Sequence, residues 1–338
     1  MSGRARNFSP WNAWMSELSR VDAADPMPDD LSQLDAWLAR VAGRLATLLG
    51  PDPARVPLDV DIDHGTTCEG YVRHRLVFDS EATMSVPAWL LVPSGRSTPG
   101  SAVLAIHGHG PGKDAICALP TDEDAALGGT YAHDLAQLGH VVLAPDLRCF
   151  GERRDWNPDD HYACDTNLVH ATMMGHNPLA ANLWDLSRCV DVLEAHPLVD
   201  AGRIGTVGFS YGGTCALFLA AIDHRVAATV VSGYFSSWAE AHKMPWNMCG
   251  SQVLFGQLGQ IEHVDIGALI APRPMLVESG DEDLLFPVAT ARASVAALRR
   301  IYERTDASAA LMHSIFSGTH QWDGAAVAGF LATNLGPV

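Results

Sequence analysis

The chain has 338 residues, 48% of them hydrophobic, enough to bury one large core with appendages. Its 22 Lys and Arg face 39 Asp and Glu, and the formal charge of -17 repels phosphate backbones and anionic lipid headgroups, which excludes nucleic acid and membrane surfaces as partners. Seven cysteines without a C-x-x-C pair give neither a zinc knuckle nor a full disulfide framework, and read as reduced, mostly buried thiols.

The first stretch, "MSGRARNFSPWNAWMSELSR", has early arginines but no apolar run long enough for a signal peptide or a spanning helix, so a soluble, cytoplasmic protein is expected. "DDLSQLDAWLARVAGRLATLLG" predicts a helix with Asp30 as N-cap, Gln33 placed for a capping box and Gly50 as the stop. Leu31, Leu34, Leu38, Val41, Leu45 and Leu48 recur at steps of three and four, a narrow apolar seam. Packing on its own domain is the plainer use of that seam; a homodimer contact through this N-terminal arm is the other. With Trp11 and Trp14 it makes up a helical arm over residues 1–55, and residues 56–338 form the main domain.

"YVRHRLVF" and "SVPAWLLVP", joined by the turn-like "DSEAT", predict an antiparallel pair. Short apolar strands then alternate with helical stretches. "SAVLAIHG" precedes a helix near "TYAHDLAQLG", "HVVLAPD" one near "LAANLWDLSRCVDVLEAH", "RIGTVGFS" one at "YGGTCALFLAAI" and "RPMLVES" one at "PVATARASVAALRRIYE", with "VAATVVSG" between. This order predicts an α/β protein whose mainly parallel sheet carries helices on both faces. Two stretches, about 147–177 and 234–268, are too long for ordinary connections and are expected to cover a site in the manner of a lid. Trp238, Met244 and Trp246 in the second are expected to line an apolar substrate pocket.

Gly208, Phe209, Ser210, Tyr211 and Gly212 spell G-x-S-x-G between a strand and a helix, a frame that holds the serine on a strained turn with its hydroxyl exposed. A serine hydroxyl needs a base, and the base an orienting acid, in the chain order Ser, Asp, His. His320, after the last strand, is the expected base, with His313 inside that strand as the competitor. Asp283, fourth residue of the turn from Gly280 to Pro287, is preferred to Asp281 as the acid. Backbone amides of His109 and Tyr211 are the expected oxyanion donors. His107 and His109 also form H-x-H, a metal-pair spacing, but "HGHGPGKD" supplies no further ligands and no metal is expected.

On these residues the chain resembles the α/β-hydrolase superfamily and, within it, the dienelactone hydrolase and acetyl xylan esterase-like group. "HGHG", "PLVDAGRIGTVGFSYGG", "DLRCFGER", "DIGALIAPRPMLVESGDEDLLFP" and "GTH" carry the resemblance over roughly residues 70–335. It implies an eight-stranded, mostly parallel sheet, no metal, no cofactor, and ester hydrolysis through an acyl-enzyme. The chain departs from dienelactone hydrolases proper in having serine where they carry cysteine, and in its N-terminal arm. The expected function is hydrolysis of small-molecule carboxylic esters by Ser210, His320 and Asp283. Acyl transfer, elimination or carbon–carbon hydrolysis on the same triad is the alternative, and a non-catalytic binding protein a more distant one.

Overall fold

Alternation along the strand Gly100–Ile106 explains the layering: Ala102, Leu104 and Ile106 join one buried cluster, while Val103 and Ala105 join another. A strand apolar on both faces needs helices on both. The structure, a computed structural model, describes residues 6–118, 129–154, 163–243, 249–336 and 338.

Two helices lead, α1 (Pro10–Leu18) and α2 (Leu34–Leu49), followed by two-residue strands β1 (Asp61–Ile62) and β2 (Thr66–Thr67) and long strands β3 (Tyr71–Glu81), β4 (Met84–Pro93) and β5 (Gly100–Ile106). Then come α3 (Lys113–Ile116), α4 (Tyr131–Gln137), β6 (Val141–Pro145), α5 (Ala163–Met173), α6 (Pro178–Ala195), β7 (Val199–Phe209), α7 (Tyr211–Ile222) and β8 (Val226–Ser232). The chain ends with α8 (Trp238–Ala241), α9 (His263–Ile270), β9 (Met275–Gly280), α10 (Val288–Arg304), β10 (Leu311–Phe316) and α11 (Val327–Leu335).

The sheet runs β1-β3-β4-β6-β5-β7-β8-β9-β10, with β2 also on β3. β3 and β4 pair antiparallel, as do β4 and β6; every pair from β6 to β10 is parallel. Of the ten described strands, eight form the expected sheet, and β1 and β2 are additions too short to leave an apolar run in the sequence.

The N-terminal helix begins later than its capping signals suggest. Asp30 instead accepts the amide of Ser32 and opens a single 3-10 turn, Leu31–Gln33, before α2. The seam of α2 points inward: Leu34, Val41 and Leu45 are buried in the same cluster as the sheet, Leu38 and Leu48 pack partly buried against it, Trp37 is buried beside them, and α2 packs on α9. Gly50, at φ 80°, ends the helix as expected.

The long stretches are less irregular than expected. α5 lies in the first, and α9 in the second is the crossover helix that a parallel β8–β9 connection requires. Behind the first stretch, Asp185 of α6 binds Arg148 and Arg153, each at 2.8 Å, and Glu152 binds Lys113 at 2.7 Å, bracing the loop after β6. Among the described residues no helix is long and apolar enough to cross a membrane.

Candidate active site

Ser210 links β7 to α7 at φ 56° and ψ -116°, a conformation a non-glycine residue adopts only under strain. Its neighbours make the turn feasible. A Cβ on Gly208 would lie 2.0 Å from the Gly212 carbonyl oxygen, and one on Gly212 would lie 1.9 Å from that of Ile106, so only glycine fits at both. The Ser210 amide donates to the Ser232 carbonyl at 2.9 Å, fixing the turn against β8.

The loops after β9 and β10 clasp one another. Asp281 N donates to Phe316 O and Glu282 N to Gly318 O, both at 2.9 Å, while the Asp281 carboxylate accepts from Gly318 N at 3.0 Å. Asp281, exposed and not the partner of His320, thus tethers the loop after β10 to the loop that carries Asp283. Asp283 is buried and His320 partly exposed; His320 Nδ1 lies 2.8 Å from Asp283 Oδ2, and His320 Nε2 lies 3.0 Å from Ser210 Oγ. Since a carboxylate only accepts, Nδ1 carries the proton and Nε2 is left to accept from the serine hydroxyl. The imidazole is held between Phe209 and Phe286, centroids 5.0 and 5.7 Å away. His313, the competitor, bonds Ser279 at 3.1 Å, and burial pushes it down to about 4, leaving it neutral within β10.

The Tyr211 amide opens α7, where first-turn amides lack an intrahelical acceptor, and the His109 amide follows β5. Neither has a hydrogen-bond acceptor among the described residues. The two side chains stack, ring centroids 5.1 Å apart. His107 takes no part: its Nδ1 bonds Gly108 O at 2.7 Å and its Nε2 accepts from Leu147 N at 3.0 Å, so both nitrogens are occupied and the H-x-H pair does not converge.

The Tyr211 hydroxyl is a feature of the site that the sequence did not single out. It accepts from Asn182 Nδ2 at 2.9 Å and donates to Ser251 O at 3.1 Å, tying the second long stretch to α6 beside Ser210. Its partners lie 29 and 40 residues away, with no local signal. Trp238, expected in the pocket wall, is a core residue instead. It is fully buried, donates to Tyr234 Oη at 2.9 Å and packs on His263 at 4.3 Å, because α8 turns its bulky ring inward. Met244 and Trp246 lie outside the described residues.

A mostly parallel sheet with helices on both faces, and a half-buried serine on a strained strand-to-helix turn, define an α/β-hydrolase. The family model of the dienelactone hydrolase family matches residues 129–299, half of the chain, and the chain belongs to that family. It is accordingly an enzyme, a hydrolase. A curated relative, YtaP of Bacillus subtilis (strain 168), provisionally named a hydrolase, is 28% identical over 250 residues, 72% of this chain and 81% of that one. A protein of Bacteroides fragilis NCTC 9343, provisionally called an acetyl xylan esterase, shares the fold with a TM-score of 0.77 at 18% identity, over 93% of this chain and 83% of that one. A glucuronoyl esterase from Solibacter usitatus shares it with a TM-score of 0.66 at 15% identity, over 93% and 96%.

Proposed function

We propose that the protein hydrolyses carboxylic esters of small molecules through an acyl-enzyme on Ser210. The observation that carries this reading is the unbroken line from Asp283 through His320 to Ser210, beside two amides without acceptors. Ser210 Oγ attacks the ester carbonyl as its proton passes to His320 Nε2, and the Asp283 carboxylate stabilises the imidazolium. The His109 and Tyr211 amides receive the oxyanion, each such donor contributing about 3–4 kcal/mol at the transition state. Collapse returns the proton to the leaving alcohol and leaves the acyl-enzyme. Water, deprotonated by the same imidazole, attacks the acyl carbon; collapse releases the acid and restores the serine.

The names of the similar structures, an acetyl xylan and a glucuronoyl esterase, favour carbohydrate esters as the first substrates to try. The test is turnover of p-nitrophenyl esters and acetylated sugars, with and without an added alcohol acceptor, all products quantified. Free acid equal to the alcohol released is expected. Acyl groups moved to the acceptor with no free acid would replace hydrolysis by transfer, and no acid above background would overturn the reading.

A further inference from the structure

Three soft donors that the sequence keeps far apart meet beside the serine turn. His109 follows β5, Cys164 sits in the first turn of α5, and Cys249 precedes the turn Gly250–Gln252. The two sulfurs are 3.0 Å apart, and both sulfurs and a His109 ring nitrogen lie within 4.8 Å of one another. The Asp165 carboxylate stands 3.9 Å from the Cys249 sulfur. Cys164 is buried, Cys249 half-buried and His109 exposed, so the cluster opens to solvent on the histidine side. None of the three side chains has a part in the ester chemistry above; only the His109 backbone does.

We propose that His109, Cys164 and Cys249 bind one thiophilic divalent cation of the zinc type, with a solvent molecule as the fourth ligand on the open histidine side. Zinc bonds of about 2.3 Å to sulfur and about 2.0–2.1 Å to nitrogen put tetrahedral donors roughly 3.4–3.8 Å apart. The sulfurs, 3.0 Å apart, would open by about 0.8 Å, and the imidazole, within 4.8 Å of both, is in reach of the same cation. Two S–H bonds break and two protons go to solvent, while two metal–sulfur bonds and one metal–nitrogen bond form with no change of oxidation state.

Occupation has a consequence for the ester site. The His109 ring lies against Tyr211, and its amide is one of the two proposed oxyanion donors. Ligation draws the ring toward the sulfurs, moves that amide, and fastens α5 and the 249–252 turn to the loop after β5. Slower turnover follows.

The test uses the full chain, reduced, stripped with a chelator and titrated with Co²⁺ and then Zn²⁺. One equivalent of cobalt is expected to bring up a thiolate-to-metal charge-transfer band that zinc abolishes, with release of about two protons. In Cys249→Ser, and separately in Cys164→Ser, the band is expected to vanish and zinc to bind at least about tenfold more weakly. One equivalent of zinc is expected to cut wild-type ester turnover at least about tenfold, reversibly with chelator, and to leave the zinc-to-apo ratio near one in either variant. No band in the reduced wild type, or unchanged affinity in both variants, overturns the site. So does a pair that oxidises to a disulfide under mild peroxide without having taken up metal when reduced. A band with undiminished turnover overturns the link to the oxyanion loop. Because the band is read without turnover, the metal site and the esterase reading fail separately.

Discussion

Asp283 gives its two carboxylate oxygens different tasks. Oδ1 accepts the amides of Leu285 and Phe286 at 2.8 and 3.0 Å, and Oδ2 faces His320 Nδ1. In Asp283→Asn the carbonyl oxygen keeps the two amides, so the amide NH2 is turned on the histidine. Nδ1 must then accept, the proton moves to Nε2, and the base that Ser210 needs is gone. Steady-state kinetics should find kcat down by about 10³–10⁴ with the melting temperature nearly unchanged. A loss under tenfold would remove Asp283 from the reaction. At this scale the sequence was informative where roles follow from position on a turn: Ser210, Asp283 and His320 stand together as their loops suggested. It was uninformative where a side chain's direction decides. Trp238 reads as a pocket aromatic because composition carries no sign for inward or outward, and the bond of Asp281 to Gly318 leaves no signal because its partner comes from another loop.

Among the elements, β9 is the one most at odds with its own chemistry. All six residues are buried between β8 and β10, yet Glu278 sits among them with no hydrogen-bond partner of good geometry on either oxygen among the described residues. Burial pushes this carboxyl up to about 7. The unfolded chain would release the proton near the ordinary glutamate value of 4.5, so between about pH 4.5 and 7 the folded state holds a proton that the unfolded state lacks. Stability therefore falls as pH rises through that window and levels off above it, by an amount on the order of 3 kcal/mol at most. In Glu278→Gln that loss should disappear: melts from pH 4 to 8 are expected to show a flatter profile than the wild type and equal or greater stability at pH 8. Parallel profiles would mean that Glu278 is ionised and solvated at neutral pH. The apolar runs flanking Glu278 made β9 legible in the sequence, as alternation did for β3 to β8. β1 and β2 were not legible, being two residues each, and α9 was absorbed into an apparent insertion because its aromatic-rich approach hides where the crossover helix begins.

Across the whole molecule, the carboxyl ends of β5, β7, β9 and β10 bring His109, Ser210, Asp283 and His320 to one edge of the sheet. This is where open α/β sheets collect their ligands, and chain order alone anticipates it. Chain order does not anticipate contacts between loops. The bond from Tyr211 to Ser251 and the meeting of Cys164 with Cys249 each join segments 40 or more residues apart, and neither leaves a spacing that can be read in advance. The account depends on one fact, that this edge makes Ser210 a nucleophile. Intact-mass measurement after incubation with a fluorophosphonate, on the wild type and on Ser210→Ala, tests it most directly. A single covalent adduct on the wild type and none on the variant is the expected result; an unlabelled, folded wild type, or an adduct that persists in Ser210→Ala, would contradict it.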